Sequence, residues 1–183
     1  MFRIYRIQAV VRIEPQRLSQ GLEEAARKVL EEQFVARYYP DLGYVISILN
    51  VKVDPEGYIV FGDGATYHRA EAEILSYVPL IHEIVEGVVT SVGTHGLNVN
   101  LGALDAFVHV SQIADDAYVD KVRGAVVLRQ SKKFIASGDV VRGMITSISY
   151  AHTKGLVRVL MTLKQPYLGK LEWIREYVAK EGK

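Results

Sequence analysis

The sequence predicts two successive domains of different class. Residues 1–79 read as an α+β unit, one helix packed on an antiparallel sheet. Residues 80–183 read as an all-β unit closing into a small barrel, with an extra inserted strand and a short C-terminal helix. Three observations predict this. One amphipathic stretch beginning at Ser19 lies between β-branched runs. The texture changes at Pro79. From Ile84 onward come five short strand-like segments, broken by glycines such as Gly87, Gly96, Gly102 and Gly143, a spacing that suits a closed barrel.

The elements follow in order. Phe2 and Ile4 are apolar on even positions, Ile7, Ala9, Val11 and Ile13 on odd ones, so the first strand is expected to change face near Tyr5 and Arg6 through a bulge or bend. Pro15 closes it. Ser19 is the expected N-cap of a helix whose Leu22, Ala25, Ala26, Val29 and Leu30 recur at helical spacing, ending before Pro40. "GYVISILNVKV" predicts a long strand, "DPEG" a tight turn, and "YIVF" a strand pairing back across it. "GDG" interrupts the sheet and "TYHRAEAEILSYV" resumes it. In the second half the strands are "IVEGVVTSV", "GLNVNL", "DAFVHV", "DVVRGMITSIS" and "LVRVLMTL". The stretch from Ala114 to Ser137 is long for a barrel connection and is expected to carry a strand around "AVVLRQ". "LGKLEWIREYVAK" reads as the terminal helix.

Composition narrows the function classes. With 49% hydrophobic and 23% charged residues the chain is an ordinary folded protein. No apolar run nears the ~20 residues that span a bilayer, and arginines run through the amino terminus, so a cytoplasmic location is expected and no membrane contact. The absence of cysteine removes disulfides and thiolate chemistry. The net charge of +1 divides unevenly: residues 1–80 carry 9 Lys+Arg against 11 Asp+Glu, residues 81–183 carry 13 against 10. That asymmetry alone points only weakly to nucleic acid.

The strand "DAFVH" raises a sharper question. Period-two geometry sends Ala106 and Val108 to one face and Asp105, Phe107 and His109 to the other. One face is core. The other is either buried from the far side or a surface offered to a ligand.

Two long stretches now carry a resemblance. "EIVEGVVTSVGTHGLNVNLGALDAFVHVSQI" resembles the opening of an S1 domain, the five-stranded OB-fold RNA-binding module, and "GDVVRGMITSISYAHTKGLVRVLMTLKQ" resembles its last two strands. With "VVRIEP", "DLGYVISILNVKV", "GDGATYH" and "KQPYLGKLEWI" in the same order, nearly the whole chain is similar to the stalk subunits of archaeal RNA polymerase, the E-prime family, counterparts of the seventh subunit of eukaryotic RNA polymerase II. The resemblance implies a truncated ribonucleoprotein-like tip domain before the S1 barrel, no catalytic site of its own, and no cofactor. It implies docking on the polymerase core through Gly62, Asp63 and Gly64, a heterodimer with the small F subunit of the polymerase, and guidance of single-stranded nascent RNA. A free-standing S1 protein of translation or RNA decay is the alternative, and the "GDGATYH" loop discriminates against it.

The RNA contacts depart from the S1 pattern. Where that pattern carries two aromatics on the second strand, this chain has His95, Gly96, Leu97 and Asn98. Each stacked base is worth ~1–3 kcal/mol, so the expected RNA-binding set passes to His95, Asn98, Phe107 and His109, with Arg142, Arg158 and Lys164 for phosphates, and binding is expected to be weak and salt-sensitive.

Other motifs have plainer readings. Gly62, Gly64 and Tyr67 lack the third glycine of a dinucleotide fingerprint and open a strand, which favours an exposed loop. The histidines His68, His82, His95, His109 and His152 are scattered, with no helical pair to hold a metal. Ser111 after His109 lacks the strand-to-helix elbow of a hydrolase. Arg129, Lys132 and Lys133 read as a solvated basic face.

Overall fold

The computed structural model describes residues 1–151 and 156–181; His152 lies outside them. The chain divides into two compact units, Met1–Val78 and Pro79–Lys183.

In the first unit, β1 (Phe2–Ile13), β2 (Tyr38–Tyr39), β3 (Gly43–Ile59) and β4 (Thr66–Tyr77) form one antiparallel sheet in the order β1-β4-β3-β2. Helix α1 (Leu22–Phe34) packs on one face of it. Ala25, Ala26 and Leu30 are fully buried against Val11, Ile13, Val45, Ile48 and Ile74. The two alanines let the helix approach closely, and burying Leu30 contributes about 1.5–3 kcal/mol. Glu23 and Glu24 in the first turn favour the positive end of the helix dipole.

Three expectations for this unit need correction. The helix starts later than Ser19: a 3-10 turn spans Pro15–Gln20, the Ser19 hydroxyl donates to the Gln16 carbonyl, and Gly21 stands at the N-cap. Pro15, at the first position of that turn, sets the chain into helical dihedrals before the serine is reached. Strand β1 does not change face. It pairs with β4 without a break from Phe2 opposite Tyr77 to Ile13 opposite Thr66, which leaves Phe2 and Ile4 on the outer face, 57% and 63% exposed. "DPEG" is not a hairpin turn. Strand β3 runs through it, with a register shift between Val53 and Gly57, and Tyr58 and Ile59 pair with Tyr67 and Thr66 of β4. The Asp54 carboxylate accepts from the Glu56 amide, and Pro55 has no N–H to give the ladder, so the turn signal is absorbed as a bulge.

The second unit is a closed barrel followed by a helix. Strands β5 (Ile84–Gly93), β6 (Gly96–Asn100) and β7 (Asp105–His109) pair in sequence as antiparallel neighbours. The connection expected to hold one strand holds three, β8 (Ala117–Asp120), β9 (Ala125–Leu128) and β10 (Phe134–Ala136), in a small antiparallel sheet of its own. Strand β11 (Val140–Ala151) pairs with β5, β12 (Leu156–Thr162) pairs with β11, and a parallel pairing of β12 with β7 closes the ring of five. Strand β13 (Gly169–Lys170) adds to β11, and α2 (Leu171–Glu181) ends the described chain. Val89, Leu97, Val99, Val108, Ile145, Val159 and Met161 fill the barrel, and Val126 and Ile135 of the inserted sheet extend the same core.

Candidate nucleic-acid interface

The face of β7 is settled by burial. Ala106 and Val108 are 1% and 0% exposed, whereas Phe107 is half-buried and Asp105 and His109 are exposed. Phe107 therefore lies on the outside of the barrel wall. Its neighbours come from the strands on either side: Asn98 of β6 stands directly opposite it, and Leu160 of β12 stands beside it. Arg158, two residues before Leu160, is exposed on the same outer face. The Asn98 amide donates to the Ser91 hydroxyl at 3.0 Å, and Asn100 donates to the Asp105 carboxylate at 2.9 Å. The rings of Phe107 and His109 meet edge-on at 6.5 Å. The result is a shallow wall with an aromatic centre, amide and hydroxyl groups on one side and a guanidinium on the other.

Gly96 permits this wall. A Cβ there would fall 2.0 Å from the Val108 carbonyl oxygen, so only glycine lets β6 and β7 approach this closely. His95, in the turn before it, is exposed, and its carbonyl accepts from the Val110 amide. His109 and Ser111 touch, with 2.8 Å between Nδ1 and Oγ, but Nδ1 also accepts from the Ser111 amide, which makes the imidazole the cap of the 3-10 turn that follows β7.

The structure thus brings Asn98, Phe107 and His109 together, sets Arg158 on the same outer face further along β12, level with Asp105, and places the other two cations elsewhere. Arg142 lies where β11 pairs with β5 and is ion-paired with Glu86 at 2.7 Å. Lys164 follows β12 and is ion-paired with Asp115. In the basic run Arg129 and Lys132 are exposed, as expected of a solvated face, while Arg129 also lies over the Tyr118 ring at 5.1 Å and Lys133 bonds Glu176 at 3.0 Å.

The loop between β3 and β4 has its own geometry. Gly62 has φ +87, a conformation side chains resist, and a Cβ at Gly62 or Gly64 would meet nothing within 4 Å. Asp63 between them is clamped. Arg12 of β1 donates to both of its oxygens at 2.8 and 2.9 Å, the Tyr67 hydroxyl donates at 2.7 Å, and the Ala65 amide at 3.1 Å. The Arg12 guanidinium, then the Tyr67 hydroxyl and the Ala65 amide, hold the Asp63 carboxyl well below the usual carboxylate range. Asp63, followed by Glu14, raises Arg12, and Asp63 pushes the Tyr67 phenol up. Both ends of the pair touch solvent, so its effect is to shape the loop more than to stabilise the fold. Beyond the clamp, Ile59 is 69% exposed and Phe61 projects fully into solvent.

The glycines and the acid of this loop are legible in the sequence, whereas Arg12 is not, because only the register of β1 on β4 brings it opposite Tyr67. The exposed apolar tip was not among the expected features. The signal was present, because "YIVF" carries its apolar groups up to the loop without the alternation a half-buried strand would show.

Comparisons with known proteins decide the family. The SHS2 domain found in the N terminus of Rpb7p/Rpc25p/MJ0397 matches residues 9–64, and the S1 RNA binding domain matches residues 79–132. DNA-directed RNA polymerase subunit Rpo7 of Sulfolobus acidocaldarius is 45% identical over 184 residues, 100% of both chains. The chain belongs to the Rpo7 family. A second relative, subunit Rpo7 of Saccharolobus solfataricus, is also 45% identical, over 96% of this chain and 98% of its own. RNA polymerase II subunit rpb7 of Schizosaccharomyces pombe is 26% identical over 70% of this chain and 75% of its own. In this Rpo7-family chain the SHS2 match contains Arg12 and the Gly62–Gly64 loop, and the S1 match contains His95, Asn98, Phe107 and His109. The fold is the one the sequence implies, a helix on an antiparallel sheet followed by an S1 barrel.

Proposed function

We propose that the chain is a non-catalytic stalk subunit of a cytoplasmic DNA-directed RNA polymerase, docking on the core by the β3–β4 loop, pairing with the small F subunit, and guiding single-stranded nascent RNA along its barrel. The carrying observation is the loop. Gly62, Asp63 and Gly64 are held by the Arg12 clamp, and the hairpin end they close offers Ile59, Val60 and Phe61 to solvent. A rigid apolar tip of this kind suits an interface, because monomeric proteins seldom leave large side chains clustered and uncovered.

Each unit also carries an apolar face suited to a partner. On the first unit Phe2 and Ile4 are exposed on β1, with half-buried Leu75 opposite Ile4. On the second, Ile84 and Val88 of β5 and Val140 of β11 are exposed, Val88 opposite Val140, with the Arg142–Glu86 pair between. The outer wall around Phe107, with Asn98, His109 and Arg158, supports the RNA role; His95 stands at its edge, and Arg142 and Lys164 would contact phosphate only by exchanging their carboxylate partners.

The test is copurification of the tagged chain from its native cells. The wild type is expected to bring down core polymerase and a small second subunit. A Phe61→Ser chain is expected to keep the small subunit and lose the core. Recovery of ribosomal or RNA-decay proteins in place of polymerase would overturn the reading.

A further inference from the structure

A second feature of the S1 unit has the chemistry of a base-binding site. Between the end of β12 and α2 lies a cleft of about 500 Å³, whose walls include Tyr167, Trp173 and Tyr177 with Lys133, Lys164 and Lys180. The Tyr167 and Tyr177 rings pack edge to face at 5.5 Å, each about half exposed. Lys133 lies over the Trp173 ring at 5.5 Å. Tyr167 has φ +62, and positive φ at a bulky residue is uncommon. Lys133 bonds Glu176 and Lys164 pairs with Asp115, so three lysines against two carboxylates leave one excess positive charge, and Lys133 and Lys164 would meet a phosphate by exchanging those partners.

From these observations we infer that the cleft takes a nucleobase and its phosphate from the same single strand that crosses Phe107. The inference rests on the proposed RNA role of the barrel face. Aromatic walls with lysines at the rim match a base with a phosphate attached, since every base offers a π-face and every link a negative charge. Continuity supports the same occupant. Strand β12 carries Arg158 beside the Phe107 wall and leads directly to Lys164 at the cleft, six residues on, roughly 20 Å at 3.3 Å per residue. The 3-10 turn after His109 joins the two regions, because the Gln112 carbonyl accepts from the Leu163 amide and from the Thr162 hydroxyl. A path of that length suits a strand of a few nucleotides, within the ~4–16 that one OB-fold covers. An apolar peptide would use the aromatic walls but not the lysines.

The chain's single tryptophan is Trp173, so its fluorescence reports on this cleft alone. The full chain is titrated with a uridine dodecamer while anisotropy of the labelled RNA gives the affinity. RNA is expected to quench Trp173 with the same midpoint as the anisotropy change. Tyr177→Ala and Lys180→Glu, both at exposed positions of α2, should each weaken binding, Tyr177→Ala by about tenfold. Phe107→Ala should weaken binding while saturating RNA still quenches Trp173. Binding that falls with Phe107→Ala while Trp173 stays silent and the α2 variants bind normally overturns the cleft and leaves the barrel face standing. Absence of RNA binding by the wild-type chain overturns both. Quenching by the purified partner protein in place of RNA assigns the cleft to protein and overturns the proposal.

Discussion

Phe107 shows what one residue can and cannot reveal in advance. Alternation along β7 separates Ala106 and Val108 from Phe107 and His109, and this was legible because the strand is short and regular, with Gly102 and Ser111 close to its ends. Whether the outer face is covered depends on packing, which no single strand encodes. The structure leaves Phe107 half-buried between Asn98 and Leu160. Phe107→Ala is therefore expected to keep the fold and weaken single-stranded RNA binding by about fivefold to a hundredfold, the range for one stacked base. The remaining binding should fall with salt by about 0.7 log units per log unit for each phosphate neutralised. Filter binding across a salt series measures both, and a protein that unfolds instead would show the ring to be structural. Asp63 makes the complementary case, because its partner Arg12 lies 51 residues away in sequence and cannot be read from the loop. Its carboxyl is lowered in the folded chain, so the stabilisation it gives the loop is complete above the ordinary carboxylate range, near ~4, and is lost as pH falls below that range through the depressed folded value. Hydrogen exchange at the Ala65 amide should show protection steady from neutral pH to ~5 and lost in stronger acid. Asp63→Asn should lower that protection at neutral pH and abolish the acid dependence.

At the scale of elements, the sequence was most legible where one signal dominated. The amphipathic face of α1 and the five short barrel strands fall where periodicity put them, because burial on one side imposes 3.6 or 2 as the spacing. It failed where two signals competed. "DPEG" has the residues of a turn, but β4 is long enough to pair on both sides of it, and continuing the ladder wins over closing a hairpin. The apparent change of face in β1 came from Phe2 and Ile4, apolar residues that the structure leaves exposed; apolar does not imply buried. The β3–β4 hairpin offers a clean separation of folding from docking. Gly64 has an ordinary φ and open space around its missing Cβ, so Gly64→Val should change the stability of the isolated chain by no more than about 0.5 kcal/mol. If the loop is pressed against the core, the same substitution should cut recovery of core polymerase severely. Gly62→Val should do so as well, but through a distorted loop, since valine resists φ +87. Normal assembly of the Gly64→Val chain would show that the loop does not touch the core.

The whole molecule is two small units, each with a modest core and each with large apolar side chains left in solvent. Units of this size bury a smaller fraction of their surface than larger domains and are correspondingly marginal alone. The interior residues carry most of that stability: Ile74→Ala, at a fully buried site under α1, should cost about 2–5 kcal/mol. Ile4 sits on the opposite side of the same sheet, and Ile4→Ser should cost the isolated chain less than about 0.5 kcal/mol. The contrast becomes informative when the proposed small partner is added. A partner that covers the Phe2–Ile4 face and the Ile84–Val88–Val140 face would bury upwards of ~2,000 Å², the range of permanent complexes, and would contribute to folding by mass action. Coexpression is expected to give a one-to-one heterodimer that survives high salt, because the surface removed from water is mainly apolar, and that melts well above the lone chain. Ile4→Ser and Val88→Ser should each lower the heterodimer's melting temperature while leaving the lone chain's nearly unchanged. If the two proteins elute separately and the melting curves superimpose, the exposed faces serve another surface, and the stalk reading loses the physical consequence that distinguishes it from a free RNA-binding chain.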